Sequence, residues 1–243
     1  MRMSSSLRAL DQYRENLSQA QSRLSLEDKV LDQISNTLIR AKELAVSQGG
    51  ATASADTRAA VKEEVDELRE FIIGLGNTQF TDSYLFGGAY ADSRPFTTSG
   101  IDPTRPPAGE FQIEGGPGEF YSVNHSGQEL LVDTQVLDAL EELSTGLGDN
   151  DPEAIQASLF TIDSAFDGIQ DLIADLGGRI NRMDRAQEKL DTLELELQTQ
   201  KSELQETDME EAITKLVNRQ VTYQSAMLAN SRILNMTLTD YLR

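Results

Sequence analysis

Two rows of aliphatic residues recur at every seventh position, and this repeat constrains the fold of the 243-residue chain more than any other feature. The first row consists of Leu10, Leu17, Leu24, Leu31 and Leu38. The second row consists of Ile155, Ile162, Ile169, Leu176, Met183, Leu190 and Leu197, and Leu204 continues it. A seven-residue apolar repeat is typical of helices that pack lengthwise against a partner. The sequence therefore predicts two long antiparallel helices, with these residues as the rod core.

A second line of apolar residues accompanies each row. In the first helix it stands three positions after the row and consists of Tyr13, Ala20, Ile34 and Ala41, with Glu27 as the one interruption. In the second helix we place it four positions after the row, at Leu159, Phe166, Ile173 and Ile180. Beyond Ile180 these positions become polar, so we expect burial to be less complete there.

The glycine pair Gly177-Gly178 lies in the middle of the second row. Two glycines in a helix cost about 2 kcal/mol relative to alanine, but each buried aliphatic side chain contributes about 1.5 to 3 kcal/mol. The row passes the glycines without losing phase. We therefore predict one continuous helix here, with Asp151 as its N-cap and Pro152 as its first residue.

Near Gln205 to Asp208 the apolar pattern changes register, which predicts a joint and a separate C-terminal assembly helix over residues 206–243. The apolar stripe of this helix is predicted to form an assembly interface. Its members are Met209, Ile213, Leu216, Tyr223, Met227, Leu234, Leu238 and Tyr241. The chain offers no obvious mate for the stripe, so we expect it to pack against another molecule or a missing segment.

The middle of the chain has a different composition. Helical spacing predicts two shorter helices, one from Val61 to Leu75 and one from Val136 to Leu143. Between them, turn-forming and aromatic residues concentrate in the stretch 80–133, where Phe111–Ile113 and Phe120–Val123 are predicted strand cores. The predicted fold is mainly α: an elongated antiparallel helical rod, a coiled-coil-like bundle of residues 1–79 plus 134–205, with a small β-rich inserted domain at 80–133.

Charge and residue content exclude several functions. Acidic residues outnumber Lys and Arg by 41 to 21, and a net charge of −20 disfavours nucleic acid or a membrane as partner. The chain has no cysteine, no apolar stretch resembling a secretory signal, and no phosphate-binding or hydrolase motif. Its one histidine, His125, falls at a predicted turn and is interpreted as a turn residue. We expect no enzyme activity, cofactor or metal.

Several stretches, in this order, resemble the bacterial flagellin family: Asn77–Phe80 with Tyr84–Gly88, Gly178–Met183, Glu206–Ile213, and Ala229–Leu234 with Tyr241–Leu242. Within the family, Tyr84–Gly88 is more similar to hook–filament junction proteins than to filament subunits. The resemblance implies a structural component of the flagellum that joins hook to filament by side-by-side helical packing. It also implies terminal helices that line an inner tube, an outer β-rich domain, and type III export to an extracellular location without a cleaved signal.

The resemblance further implies partners and a missing segment. Expected partners are other flagellar subunits, namely a neighbouring hook-associated protein, like subunits and the filament side, with an export chaperone as a candidate. Family members carry a further N-terminal helix and an acidic, proline-containing loop ahead of the region that here starts at Leu7. We expect that this sequence lacks both, because it is shortened or because its start is misassigned.

Two alternative functions remain open at this point. In the first, the chain is a flagellin-like filament subunit, which would polymerise by itself. In the second, it is a surface-binding or adhesin module that acts through the inserted domain at 80–133.

Overall fold

Four helices carry most of the chain: α1 at Arg2–Gln48, α2 at Ala55–Gly76, α3 at Val136–Gly148 and α4 at Pro152–Tyr241. The computed structural model describes residues 2–50, 53–97, 100–101 and 106–241, without the side chains of 2–4, 100, 206–208 and 233–241. The chain divides into two units. The core unit is Ala9–Leu190, and the end unit is Met1–Arg8 with Asp191–Arg243. The prediction of a mainly α fold with a small strand-containing insertion is confirmed.

In the core unit, α1 and α4 run antiparallel in one constant register. Polar contacts join Gln21 to Asp184, Ser35 to Gln170, Lys42 to Asp163, and Gly49 to Gln156. Successive contacts lie at multiples of seven residues along both helices, and each step up α1 matches an equal step down α4. The heptad repeat therefore sets the pairing of these two helices.

The aliphatic rows form the interior of the core unit. All five leucines of the α1 row are buried, as are the α4 row residues Ile155, Ile162, Ile169, Leu176, Met183 and Leu190. Leu197, in the end unit, is only partly buried, and Leu204 is exposed. The complete core thus ends near Leu190.

The second line of α4 differs from the prediction. Leu159, Phe166, Ile173 and Ile180 are only half-buried. Of the five positions three residues after the row from 158 to 186, four are buried (Ser158, Ala165, Arg179 and Ala186) and Leu172 is half-buried. In packed helices with a seven-residue repeat, the inward-facing positions are separated alternately by three and four residues. In both α1 and α4 the second line stands three residues after the row. Because three of the four residues are small, α1 and α4 can approach each other closely at these levels.

Helix α4 is continuous from Pro152 to Tyr241, which confirms the prediction across Gly177-Gly178. The predicted joint at Gln205 to Asp208 is wrong, because the helix passes through these residues without a break. Backbone hydrogen bonds of a helix do not depend on which face is apolar, so a change of register in the pattern need not interrupt it.

Side-chain caps fix the connections between helices. Ser54 Oγ accepts a hydrogen bond from the Thr57 amide at 3.2 Å and begins α2. Asp151 Oδ1 accepts from the amides of Glu153 and Ala154 at 2.9 and 3.2 Å, as its predicted N-cap role requires. Buried Arg58 donates to the carbonyl oxygens of Gln48 and Gly50, which satisfies acceptors at the end of α1.

In its described residues the insertion contains three antiparallel strand pairs. They are β1 Gln79–Phe80 with β2 Ser83–Tyr84, β3 Phe96–Thr97 with β4 Gly100–Ile101, and β5 Gln112–Gly116 with β6 Glu119–Ser122. The predicted strand cores at Phe111–Ile113 and Phe120–Val123 correspond to β5 and β6. A π-helical turn at Gln128–Asp133 follows and leads into α3, which packs on α2.

The stretch Tyr84–Gly88 makes a tight turn that explains its two glycines. Leu85 and Phe86 are fully buried, and the chain then reverses at Gly88, whose φ is +57°. A Cβ on Gly88 would lie 2.4 Å from the Ala108 carbonyl oxygen. The next amide, Ala89, donates to the same oxygen at 2.9 Å, so the backbone approach is part of the turn.

We expect Gly88→Ala to lower the free energy of unfolding by about 2 to 4 kcal/mol, because it adds a positive-φ strain and a backbone clash. Urea unfolding followed by circular dichroism measures the change. The matched control is Gly74→Ala in α2, where a Cβ would meet nothing within 4 Å. That variant should gain about 0.5 to 1 kcal/mol through helix propensity. Equal effects at the two glycines would contradict the turn geometry.

Candidate functional site

The C-terminal half of α4 presents an apolar face that lies in the end unit. Met209, Ile213, Leu216, Tyr223 and Met227 follow one another at steps of three, four and seven residues, which places them on one side of a helix. Val217, Val221 and Leu228 form an adjoining row. We call these eight residues the α4 apolar face.

Every member of the α4 apolar face is more than half exposed, from 51% at Val217 to 67% at Tyr223. All residues from 209 to 232 are exposed. The side chains of Leu234, Leu238 and Tyr241, which the sequence adds to the same stripe, lie outside the described residues. Contiguous exposed apolar surface of this kind is typical of interaction sites on proteins.

Charged residues occupy the other side of this helix. Lys215 Nζ and Glu211 form an ion pair at 2.6 Å, one helical turn apart. Thr222 stands seven residues after Lys215 and eleven after Glu211, so it lies on this same polar side of the helix. The segment is therefore amphipathic, with a polar side that keeps it in water and an apolar side that has no cover within residues 209–232.

A second polar feature lies inside the core unit, where the sequence shows a defect in the α1 row. Glu27 is fully buried, and His125 is buried beside it. Glu27 Oε1 accepts from the His125 backbone amide at 3.0 Å and lies 2.6 Å from His125 Nδ1. The histidine predicted as a turn residue is thus a core residue that joins the insertion to α1.

The same histidine also contacts α4. His125 Nε2 lies 3.0 Å from Asp175 Oδ2, which accepts from Arg179 Nε at 2.6 Å. Arg179 Nη1 donates to Ser122 Oγ and to the Asn124 carbonyl oxygen, both at 2.8 Å. Glu27, His125, Asp175 and Arg179 therefore form one connected group, which we call the buried polar cluster.

The cluster shifts the pKa values of two members. Burial alone lowers the pKa of His125, but the hydrogen bond and charge of Glu27, with a contribution from Asp175, raise it above the ordinary 6.5. Burial raises the pKa of Asp175, but the hydrogen bond and charge of Arg179 lower that pKa by more. The net pKa of Asp175 therefore lies below the usual value. Both shifts favour the charged forms.

Other kinds of site have little support in the described residues. No three His, Asp or Glu side chains there are grouped as a metal ion would require. None of the helices traced in those ranges is both long and apolar enough to cross a bilayer.

Long paired helices with an exposed apolar end define a class of helical subunit that assembles with other subunits. Two family models specify which class: the bacterial flagellin N-terminal helical region matches residues 1–91, and the bacterial flagellin C-terminal helical region matches residues 159–242. The chain belongs to the bacterial flagellin family, whose members are structural proteins of the flagellum.

Three similar proteins illustrate the range of the family. The chain is 27% identical to the flagellar filament 30.7 kDa core protein of Treponema maltophilum over 237 residues, covering 95% of this chain and 78% of that protein. It is 26% identical to flagellar hook-associated protein 3 of Escherichia coli over 162 residues, covering 64% and 47%. A putative flagellar hook-associated protein from Vibrio parahaemolyticus shares the fold, with a TM-score of 0.76, 19% identity, and coverage of 83% and 94%.

Proposed function

We propose that this chain is a structural adaptor at the junction between the flagellar hook and filament, and that it performs no catalysis. The observation that carries the assembly role is the α4 apolar face, whose eight large side chains are all more than half exposed. Burying each such side chain contributes about 1.5 to 3 kcal/mol, so contact with another subunit would be strongly favourable. The proposed partners are neighbouring flagellar subunits, and the proposed location is extracellular.

Two observations support the junction over other places in the flagellum. The stretch Tyr84–Gly88 resembles the junction proteins of the family, and hook-associated proteins are among the sequences and folds similar to this chain.

The acidic composition, with a net charge of −20, supports a protein partner rather than nucleic acid or anionic lipid. An export chaperone, type III export, and Leu234, Leu238 and Tyr241 as further contact residues belong to the same proposal.

A filament subunit is the second candidate, favoured by the similarity to a filament core protein of Treponema maltophilum. The two candidates differ in one behaviour. A junction subunit forms a layer of limited number, whereas a filament subunit polymerises by itself. Long filaments grown from the purified wild-type chain alone, seen by electron microscopy, would therefore favour the filament candidate and contradict the junction.

We expect Leu216→Asp to prevent incorporation into the flagellum. The substitution removes at least about 1.5 kcal/mol of apolar burial at each contact and places a charge there, so subunit affinity should fall at least tenfold. The variant is made in the bacterium that encodes the chain, and motility in soft agar and intact hook–filament junctions by electron microscopy are scored.

The control variant is Thr222→Asp, which adds the same charge on the polar side of the same helix. It should leave motility and junctions normal. Because both positions are exposed, both purified variants should unfold at the wild-type urea midpoint. Normal junctions with Leu216→Asp, or equal loss with Thr222→Asp, would contradict the proposed interface.

A further inference from the structure

We infer that the buried polar cluster is a proton-dependent lock that holds the insertion on α1 and α4, closed when His125 is protonated and loosened when it is not. Its contacts lie within the core unit and do not depend on what the α4 apolar face binds. The lock is a conformational device of the chain itself.

The insertion needs such a lock because its own secondary structure is small. Its strand pairs are two residues long in β1 to β4 and four or five in β5 and β6. Isolated two-stranded pairs are marginally stable in water, so the position of the insertion depends on contacts with the helices. The segment Ser122–His125, at the end of β6, makes the contacts that reach both helices through Glu27 and Arg179. Further contacts to the insertion come from Asn16 and Arg23 of α1 and from Lys189 of α4.

The geometry at His125 requires two ring donors. Nδ1 faces a Glu27 oxygen at 2.6 Å and Nε2 faces an Asp175 oxygen at 3.0 Å. A neutral imidazole carries only one N–H, whereas the imidazolium ion carries two. The protonated ring therefore satisfies both carboxylates, and the neutral ring leaves one carboxylate oxygen facing a nitrogen lone pair.

Charged groups from α1, α4 and the insertion surround His125. On α1, Glu27 faces the ring and Arg23 stands one turn before it, where its guanidinium donates to the carbonyl oxygens of Tyr84 and Leu85. On α4, Asp175 faces the ring and is paired with Arg179. In the insertion, Glu129 is occupied by the amide and hydroxyl of Ser126. Arg23 also acts on Glu27 through its charge, but the hydrogen bonds of its guanidinium to Tyr84 and Leu85 go to carbonyl oxygens, whereas the His125 ring contacts Glu27 Oε1 directly. Loss of the ring proton therefore removes a cation from direct contact with Glu27 and Asp175.

The direction of the pH effect follows from the raised pKa of His125. A group whose pKa is higher in the folded than in the unfolded chain contributes its full stabilisation below the unfolded value. That stabilisation is lost as pH rises through the folded value. The lock is therefore closed below the folded pKa of His125 and loosens as the pH rises through it.

His125 is the only histidine of the chain, so its ring signals in an NMR titration of the full-length protein need no assignment by mutation. We expect the titration to give a pKa above 6.5. Hydrogen–deuterium exchange, corrected for intrinsic rates, is then measured across that pKa. Protection of residues 111–126 should fall about tenfold for each unit by which the folded pKa exceeds the unfolded one, relative to the α1–α4 pair.

Glu27→Gln is the companion variant, and it should move the pKa of His125 down and flatten the pH dependence of protection at 111–126. If that variant does not fold, the two wild-type measurements still decide. A wild-type pKa at or below 6.5, or protection at 111–126 that stays constant while His125 titrates, would overturn the lock. So would an unchanged His125 pKa in a folded Glu27→Gln protein.

Discussion

Replacing Glu27 with leucine should lower the free energy of unfolding by about 3 to 5 kcal/mol, although leucine completes the apolar line of α1. A heptad argument alone gives the opposite sign, a gain of about 1.5 to 3 kcal/mol from burying one more leucine. The structure reverses this expectation because Glu27 is the acceptor for both the backbone amide and the ring Nδ1 of buried His125. Leucine leaves both donors without a partner.

Urea unfolding at neutral pH measures this change, and the loss should lie towards the lower end because His125 can release its proton. Glu15→Leu, at an exposed position of the same helix, is the matched control and should stay within about 0.5 kcal/mol of wild type. Glu27→Gln keeps an acceptor for the amide and should lose less than Glu27→Leu. A Glu27→Leu protein as stable as wild type would contradict this prediction, because the contacts of Glu27 would then contribute no more than the burial of one leucine.

The cluster marks the limit of what periodicity can predict. Glu27 and His125 are 98 residues apart, and His125 and Asp175 are 50 apart, so no local pattern connects them. The available signal was the interruption itself, since a charged residue at an inward-facing heptad position indicates a buried partner. Arg179, which occupies the corresponding line of α4, was not recognised because the second line of that helix was placed one residue too far along.

The wrong prediction for the second line of α4 has a simple physical reason. The sequence interpretation chose Leu159, Phe166, Ile173 and Ile180 because they are large and apolar. The spacing of the repeat decides which positions face a partner helix. Small residues at those positions allow the two helices to pack closely. Ser158, Ala165 and Ala186 meet that requirement and are buried. The rows at spacing seven were predictable because their signal repeats many times and is purely local.

The α4 apolar face also shows what the sequence pattern could predict and what it could not. Residues Met209 to Met227 were predictable as one amphipathic face because their spacing is helical, and the structure leaves that face exposed. The joint proposed ahead of it was not correct, since a helix can continue while the direction of its apolar side changes. Sequence therefore indicated what the surface is made of, and the structure showed that it continues the same helix as the core.

A matched pair of substitutions in one row of α4 should show where the core ends. Leu176 is fully buried, so Leu176→Ala should lower the free energy of unfolding by about 3 to 5 kcal/mol through lost burial and the cavity it leaves. Leu197 stands in the same row at a partly exposed position, and Leu197→Ala should lose less than about 1 kcal/mol. Both substitutions replace leucine by alanine inside one helix, so changes in helix propensity nearly cancel in the comparison.

Urea unfolding of both variants at two protein concentrations gives the measurement. Equal losses at low concentration would contradict the end of the core near Leu190, because they would require Leu197 to be as buried as Leu176. A loss at Leu197 that grows with concentration has a different meaning: stability linked to association depends on concentration, whereas packing within one chain does not. The pair of variants therefore separates burial inside the core unit from burial against a second molecule.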